Sequence, residues 1–189
     1  DLDGARAGKV FNLAVLEKIA AATNMVIDFG GGVKQIHDVK AVLNAGAAMV
    51  TIGSLAVQQP NLLQSWLTEF GANHFFIGAD VLDERVKISG WLEDGGIDIF
   101  DFLDQLAKMG VTNIFCTDIA KDGMMQGPTT ALYTRIMQKY PNIKLTASGG
   151  VSRLDDVEKL EEAGCNGVII GKAIYENLVR LDELIKLNT

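Results

Sequence analysis

The 189-residue sequence is short of cysteine, of histidine and of positive charge. Its two cysteines, Cys116 and Cys165, stand at no metal-ligand spacing from His37 or His74, and each lies in or beside an apolar segment. Buried free thiols are expected, and no metal site. Lys and Arg number 17 against 24 Asp and Glu, for a net charge of −7. Broad binding to a phosphate backbone needs a basic stripe, so this balance argues against nucleic acid as a partner. No apolar run reaches the roughly 18 residues of a membrane span, and the start has neither the charged nor the apolar region of a signal peptide. A soluble cytoplasmic chain with no membrane partner is the expectation. What is there is 48% hydrophobic and 22% charged residues, enough for a sizeable core in one domain spanning residues 1–189.

The apolar residues fall into a regular alternation. Short runs at 25–29 (MVIDF), 48–52 (AMVTI), 74–80 (HFFIGAD), 113–119 (NIFCTDI), 143–147 (IKLTA) and 167–171 (GVIIG) read as fully buried strands. Amphipathic stretches lie between them. Leu13, Leu16, Ile19 and Ala20 share one helical face, as do Ile36, Val39, Val42 and Leu43, and Ile99, Phe102, Leu103 and Leu106. Strand, loop and helix recurring without a linker predict parallel βα units. Trp66 has helical spacing to Leu62, Leu63 and Phe70 and is expected in the core.

An internal repeat narrows the architecture. Gly31 aligns without a gap on Gly149, 118 positions later, and with it Gly32 on Gly150, Asp38 on Asp156, Gly46 on Gly164, Val50 on Val168 and Gly53 on Gly171. Two βαβ units are therefore related, as in a (β/α)₈ barrel built from two similar halves. In each half one strand ends in Gly-Gly and the next in Ile-Gly, each followed by a helix start. Backbone N–H groups at such turns form an anion cradle. A lone Gly-Gly would signify only a tight turn. Its duplication over two loops in each half predicts a phosphate site at Gly31, Gly32, Gly53 and Ser54, and a second at Ser148, Gly149, Gly150, Gly171 and Lys172. Two such sites at one barrel mouth predict a small-molecule substrate with a phosphate at each end.

The segments DLDGA (1–5), DFGGGVK (28–34), GADV (78–81), GW (90–91), CTDIAKDGMMQGP (116–128), ASGGV (147–151) and GVIIGKAIYE (167–176) are similar to the phosphoribosylformimino-aminoimidazole-carboxamide ribotide isomerases of histidine biosynthesis, over the whole chain and in the family's order. The resemblance implies a cofactor-free Amadori rearrangement of an aminoaldose to an aminoketose. The related cyclase subunit of imidazole glycerol phosphate synthase is the alternative, but TDI followed by KDGMMQGP sides with the isomerases. Such a reaction needs an acid to open the ribose ring and a base to take a proton from the carbon beside the iminium. Asp80 ends its strand where catalytic residues of this fold sit. The resemblance implies that it is the acid and that Thr117 is the assisting threonine. Asp118 and Asp122 either orient the substrate or cap the loop at Gly123. Trp91, in the stretch VKISGWLEDGG, either belongs to a lid loop that stacks on a planar heterocycle or packs against the rim.

One departure from the family stands at the start. Its other catalytic aspartate belongs to the first strand, whereas DLDGA matches the end of the second, so about 45 residues at about 30 per unit are expected to be missing, leaving an incomplete barrel. A non-catalytic phosphate-binding fragment is the reading that follows if they are absent from the protein. The oligomeric state is left open.

Overall fold

The structure, a computed structural model, describes residues 1–187. The chain opens with helices α1 (Leu2–Ala7) and α2 (Leu13–Ala22), then β1 (Asp28–Gly30), α3 (Ile36–Asn44) and β2 (Met49–Ile52). Helices α4 (Ser54–Gln58) and α5 (Pro60–Phe70) lead to β3 (Phe75–Leu82), β4 (Arg85–Ile88) and β5 (Glu93–Asp98). The rest runs α6 (Ile99–Lys108), β6 (Asn113–Asp118), α7 (Thr130–Lys139), β7 (Lys144–Ser148), α8 (Leu154–Glu162), β8 (Gly167–Ile169), α9 (Lys172–Tyr175) and α10 (Leu181–Leu187).

Strands β1, β2, β3, β6, β7 and β8 are hydrogen-bonded in that order, every neighbouring pair parallel. This is the strand-helix order of a (β/α)₈ barrel with six of its strands present. Among the described residues β1 and β8 do not pair, so the sheet has two open edges. Those edges explain where the expected strands fall short. Burial does not enforce strand conformation at an open edge. Met25 and Val26 are accordingly exposed and β1 starts only at Asp28, while Ile169 of β8 is also exposed rather than fully buried.

The core lies between the sheet and its helices. Val50, Ile52, Phe75, Ile77, Ala79, Ile114, Cys116, Leu145 and Ala147 turn one face of the sheet to the buried faces of α3, α5, α6 and α7. Helix α6 shows why the chain takes this form. The Asp98 carboxylate accepts from Phe100 N–H at 2.8 Å as its N-cap, and Ile99, Phe102, Leu103 and Leu106 recur at helical spacing and are all buried. Each such side chain contributes about 1.5–3 kcal/mol on burial. Trp66 is fully buried, as expected, although its Nε1–H has no partner among the described residues. Ile19 and Ile36 are the exceptions on the expected apolar faces, since both reach solvent. Of the cysteines only Cys116 is fully buried; Cys165 is half-buried.

The repeat is preserved in three dimensions. Helix α8 begins and ends 118 positions after α3, and α9 begins 118 after α4. Gly31 and Gly149 have φ of 107° and 96°, and Gly32 and Gly150 have 81° and 87°.

Candidate functional site

Parallel pairing sets Asp80 beside Thr117 and Thr117 beside Ser148 in one row across β3, β6 and β7, at the C-terminal ends of the strands. In-register partners on parallel strands share a face. Ala79, Cys116 and Ala147, the preceding residue in each strand, face the helices, so the three polar side chains face the other way. No partner among the described residues occupies the hydroxyl of Thr117 or of Ser148. Cys116, just behind Thr117, is walled in, and burial pushes its thiol well above the ordinary range. Below this row on the same face, the Phe76 and Phe115 rings meet at a tilt of 52° with centroids 4.9 Å apart.

The segment following Asp80 is ordered hairpin rather than loop. Strand β4 pairs antiparallel with β3 and β5 with β4, joined to β3 through Asp83 and Glu84 at φ of 51° and 62°. This positive-φ pair matches the twist of a two-residue hairpin turn. The Arg85 and Lys87 side chains converge on Asp94, whose carboxyl is held well below the usual range, first by the Gly96 N–H and then by these two cations. At the far tip, Trp91 Nε1–H donates to Asp80 Oδ2 at 2.8 Å. The indole therefore lies against Asp80, at one end of the row of polar side chains, and remains 43% exposed.

A cavity flanks the row at each end of the sheet. One, of about 710 Å³, is walled by Gly31, Gly32, Gly53, Ser54 and the cations Arg6 and Lys34. The other, of about 250 Å³, is walled by Ser148, Gly149, Gly150, Gly171, Lys172 and Asp122. All the glycines expected at phosphate sites thus line one or other cavity, at one rim of the sheet. They do so for two different reasons. At Gly31, Gly32, Gly149 and Gly150 φ is positive, and a Cβ would fall 2.1, 2.2, 2.8 and 2.4 Å from the carbonyl oxygens of Asp1, Lys9, Asp118 and Gly127. Glycine is demanded there by the protein's own backbone. At Gly53 and Gly171 a Cβ would meet nothing within 4 Å, and the two hold closely similar backbone angles, φ/ψ −104°/−107° and −109°/−92°.

The two loop aspartates part company. Asp118 Oδ1 accepts from Ala120 N–H at 3.0 Å and Oδ2 takes a short bond from the Thr129 hydroxyl, so this carboxylate clasps both ends of the β6–α7 loop. Asp122 instead lines the second cavity, as does Lys172, whose Nζ donates to the Gly123 carbonyl at 3.2 Å. Arg6 and Lys34 were not among the expected residues, although basic side chains a few positions from a glycine turn were a readable signal. The contact of Ser89 with Ser54, described below, had no such signal. Among the described residues no cluster of His, Cys, Asp and Glu is arranged to hold a metal ion, and no helix is long and apolar enough to cross a membrane.

Residues 1–180 match the family model described as histidine biosynthesis protein. The chain is 46% identical over 186 residues to an isomerase of Parabacteroides distasonis, covering 98% of this chain and 78% of that protein. Corresponding proteins of Azobacteroides pseudotrichonymphae and Cytophaga hutchinsonii are 47% and 42% identical, covering 98% and 100% of this chain and 78% of each. All three bear the name 1-(5-phosphoribosyl)-5-((5-phosphoribosylamino)methylideneamino)imidazole-4-carboxamide isomerase.

Proposed function

The chain belongs to the histidine biosynthesis protein family, and from that premise we propose that it is the isomerase acting on the bis(phosphoribosyl) imidazole carboxamide for which its relatives are named. The observation that carries this is the pair Gly53 and Gly171. A Cβ at either position would meet no other atom within 4 Å, so both leave the space at a strand-to-helix turn open, at the two ends of one polar row. A substrate with a phosphate on each of two ribosyl groups needs two such spaces, and Arg6 and Lys34 at one and Lys172 at the other supply charge of the right sign.

Asp80 stands midway, as the acid. Its proton goes to the ring oxygen of the aminoaldose as the bond from that oxygen to C1 breaks and the nitrogen lone pair forms the iminium. A base then removes the proton from C2, and the enolamine takes a proton at C1 while its C2 hydroxyl gives one up to become the carbonyl of the aminoketose. One proton is lost and one gained on carbon, and one gained and one lost on oxygen, so the formula is unchanged and no cofactor is consumed. The free Thr117 hydroxyl, beside Asp80, hydrogen-bonds the sugar oxygens and shares the proton. Asp122 orients the ribosyl group nearer Lys172, whereas Asp118, already occupied, holds the loop. Trp91 covers the reacting end and stacks on the planar imidazole. A cytoplasmic location belongs to the same reading.

The test is conversion of this ribotide to its ketose by the full-length protein carrying this chain. Absence of conversion by a folded protein that still binds the ribotide would retire the reading in favour of a phosphate-binding module.

A further inference from the structure

The turn joining β4 to β5 runs against the local preference of its residues. Ser89, Gly90 and Trp91 have φ of 55°, 67° and 72° in succession. Ser and Trp hold that region only when something outside the turn keeps them there. Packing holds the turn only in part, since Trp91 is 43% and the following Leu92 87% exposed. Two hydrogen bonds do the rest. Ser54 Oγ accepts from Ser89 N–H at 2.9 Å, tying the turn to the start of α4. Trp91 Nε1–H, two residues on, donates to Asp80 Oδ2 at 2.8 Å, tying it to β3.

We propose that Ser54 is a positioning residue for Asp80: its hydroxyl seats the Ser89–Trp91 turn, and that seat keeps the Trp91 indole N–H on the Asp80 carboxylate. The order of the links supports this direction. The Ser54 side chain sits on the first turn of α4, next to the buried Leu55, and so is held close to the core, whereas Trp91 is 43% exposed. A hydroxyl that accepts one hydrogen bond keeps its own proton to donate. Ser54 also lines the larger cavity, so the same hydroxyl lies between that cavity and the acid. The significance of that last link rests on the isomerase reading; the chain of contacts from Ser54 to Asp80 does not.

The chain has two tryptophans and therefore two indole N–H resonances in a ¹⁵N–¹H spectrum. Trp66, fully buried, reports the core. Trp91, identified by the resonance missing from Trp91→Phe, reports the turn. Solvent exchange of both indole protons is measured in the wild type, in Ser54→Ala and in Ser54→Thr. Loss of one net hydrogen bond should speed exchange of the Trp91 proton by roughly three- to tenfold in Ser54→Ala. The Trp66 resonance should stay in place, and Ser54→Thr should restore protection of Trp91. Unchanged Trp91 protection in Ser54→Ala overturns the proposal. So does a shift of both indoles that threonine fails to reverse, since the serine would then be serving the fold at large. The spectra do not depend on turnover: the expected pattern in a protein that cannot convert the ribotide would retire the isomerase reading and leave the positioning role standing.

Discussion

Gly127 and Gly150 hold one another's backbone. The Gly127 N–H donates to the Gly150 carbonyl at 2.9 Å, and a Cβ on Gly150 would lie 2.4 Å from the Gly127 carbonyl oxygen. This contact fixes the β6–α7 loop on the glycine turn after β7, so one wall of the smaller cavity is built from the loop that follows Thr117.

Gly150→Ala therefore damages the fold before it says anything about a ligand. Its φ of 87° costs a side-chain-bearing residue about 1–2 kcal/mol, and the clash adds to that. At about 2–4 °C per kcal/mol for a chain of this size, the melting midpoint should drop by about 5–10 °C. Gly171→Ala, with open space for its Cβ, should lose no more than about 3 °C. It should nevertheless weaken inorganic phosphate in a calorimetric titration, because the new methyl points into the space assigned to the anion. A Gly171→Ala protein with undiminished phosphate binding would count against that assignment.

The duplicated helix starts should differ in strength. Asp156, at the third position of α8, accepts from Ser152 N–H at 2.8 Å, the Ser152 hydroxyl at 2.8 Å and Arg153 N–H at 3.1 Å, and is buried. Its counterpart Asp38 accepts from Lys34 N–H at 2.9 Å and Gln35 N–H at 2.8 Å and is only half-buried. Asp156→Ala strands more donors in a drier place and should cost about 2–4 kcal/mol, against about 1 kcal/mol for Asp38→Ala. Urea unfolding of the two variants gives the comparison, and the reverse order would contradict it.

Alkaline pH should destabilise the protein. Burial pushes the Cys116 thiol and the Tyr133 hydroxyl well up and the Cys165 thiol up to about 11. An unfolded chain releases these protons near pH 8.5 for cysteine and 10 for tyrosine. Above about pH 8.5 the native state thus binds more protons than the unfolded one, and stability falls as pH rises. The melting midpoint should decline between about pH 8.5 and 10.5, less steeply in Cys165→Ala. With its thiol pushed up to about 11, Cys165 should be alkylated slowly by iodoacetamide at pH 8 and faster as the pH rises. A midpoint that rose over that range would have the sign wrong.

What was legible in the sequence was whatever depends on repetition or periodicity. The offset of 118 residues related the two halves, and the bounds of α8 follow those of α3 by that same offset because the same glycines punctuate both halves. The face of α6 was readable because all four of its apolar positions are buried. What depends on distant partners was not legible. The stretch from Arg85 to Asp98 has glycines and charges in place of strict alternation, so it read as a loop, whereas its strands are held by pairing to β3 and by cations on Asp94. Asp118 was ambiguous for the same reason: its partner Thr129 lies eleven positions away, across a loop whose path no local pattern determines. The Ser54–Ser89 bond joins residues 35 positions apart, each of them unremarkable in sequence.

The catalytic assignment predicts a pair of losses in the full-length protein. Asp80→Asn keeps an oxygen to accept from the Trp91 indole, so the hairpin tip stays seated while the carboxylic proton is gone. General acid groups contribute typically 10²- to 10⁴-fold, and turnover should fall by about that factor. Affinity for the ribotide should change far less, because binding is assigned to the two cavities and not to this side chain. Thr117→Val removes a hydroxyl that bonds nothing else in the described residues and leaves a side chain of nearly the same shape at a buried position. It should therefore fold normally and lose turnover by a smaller factor than Asp80→Asn, since the hydroxyl shares a proton without carrying the main change of charge. Steady-state turnover and the dissociation constant for the ribotide, measured on each variant, separate these effects. If Asp80→Asn kept wild-type turnover, or lost binding and turnover in equal measure, the acid would have to be another residue of the rim.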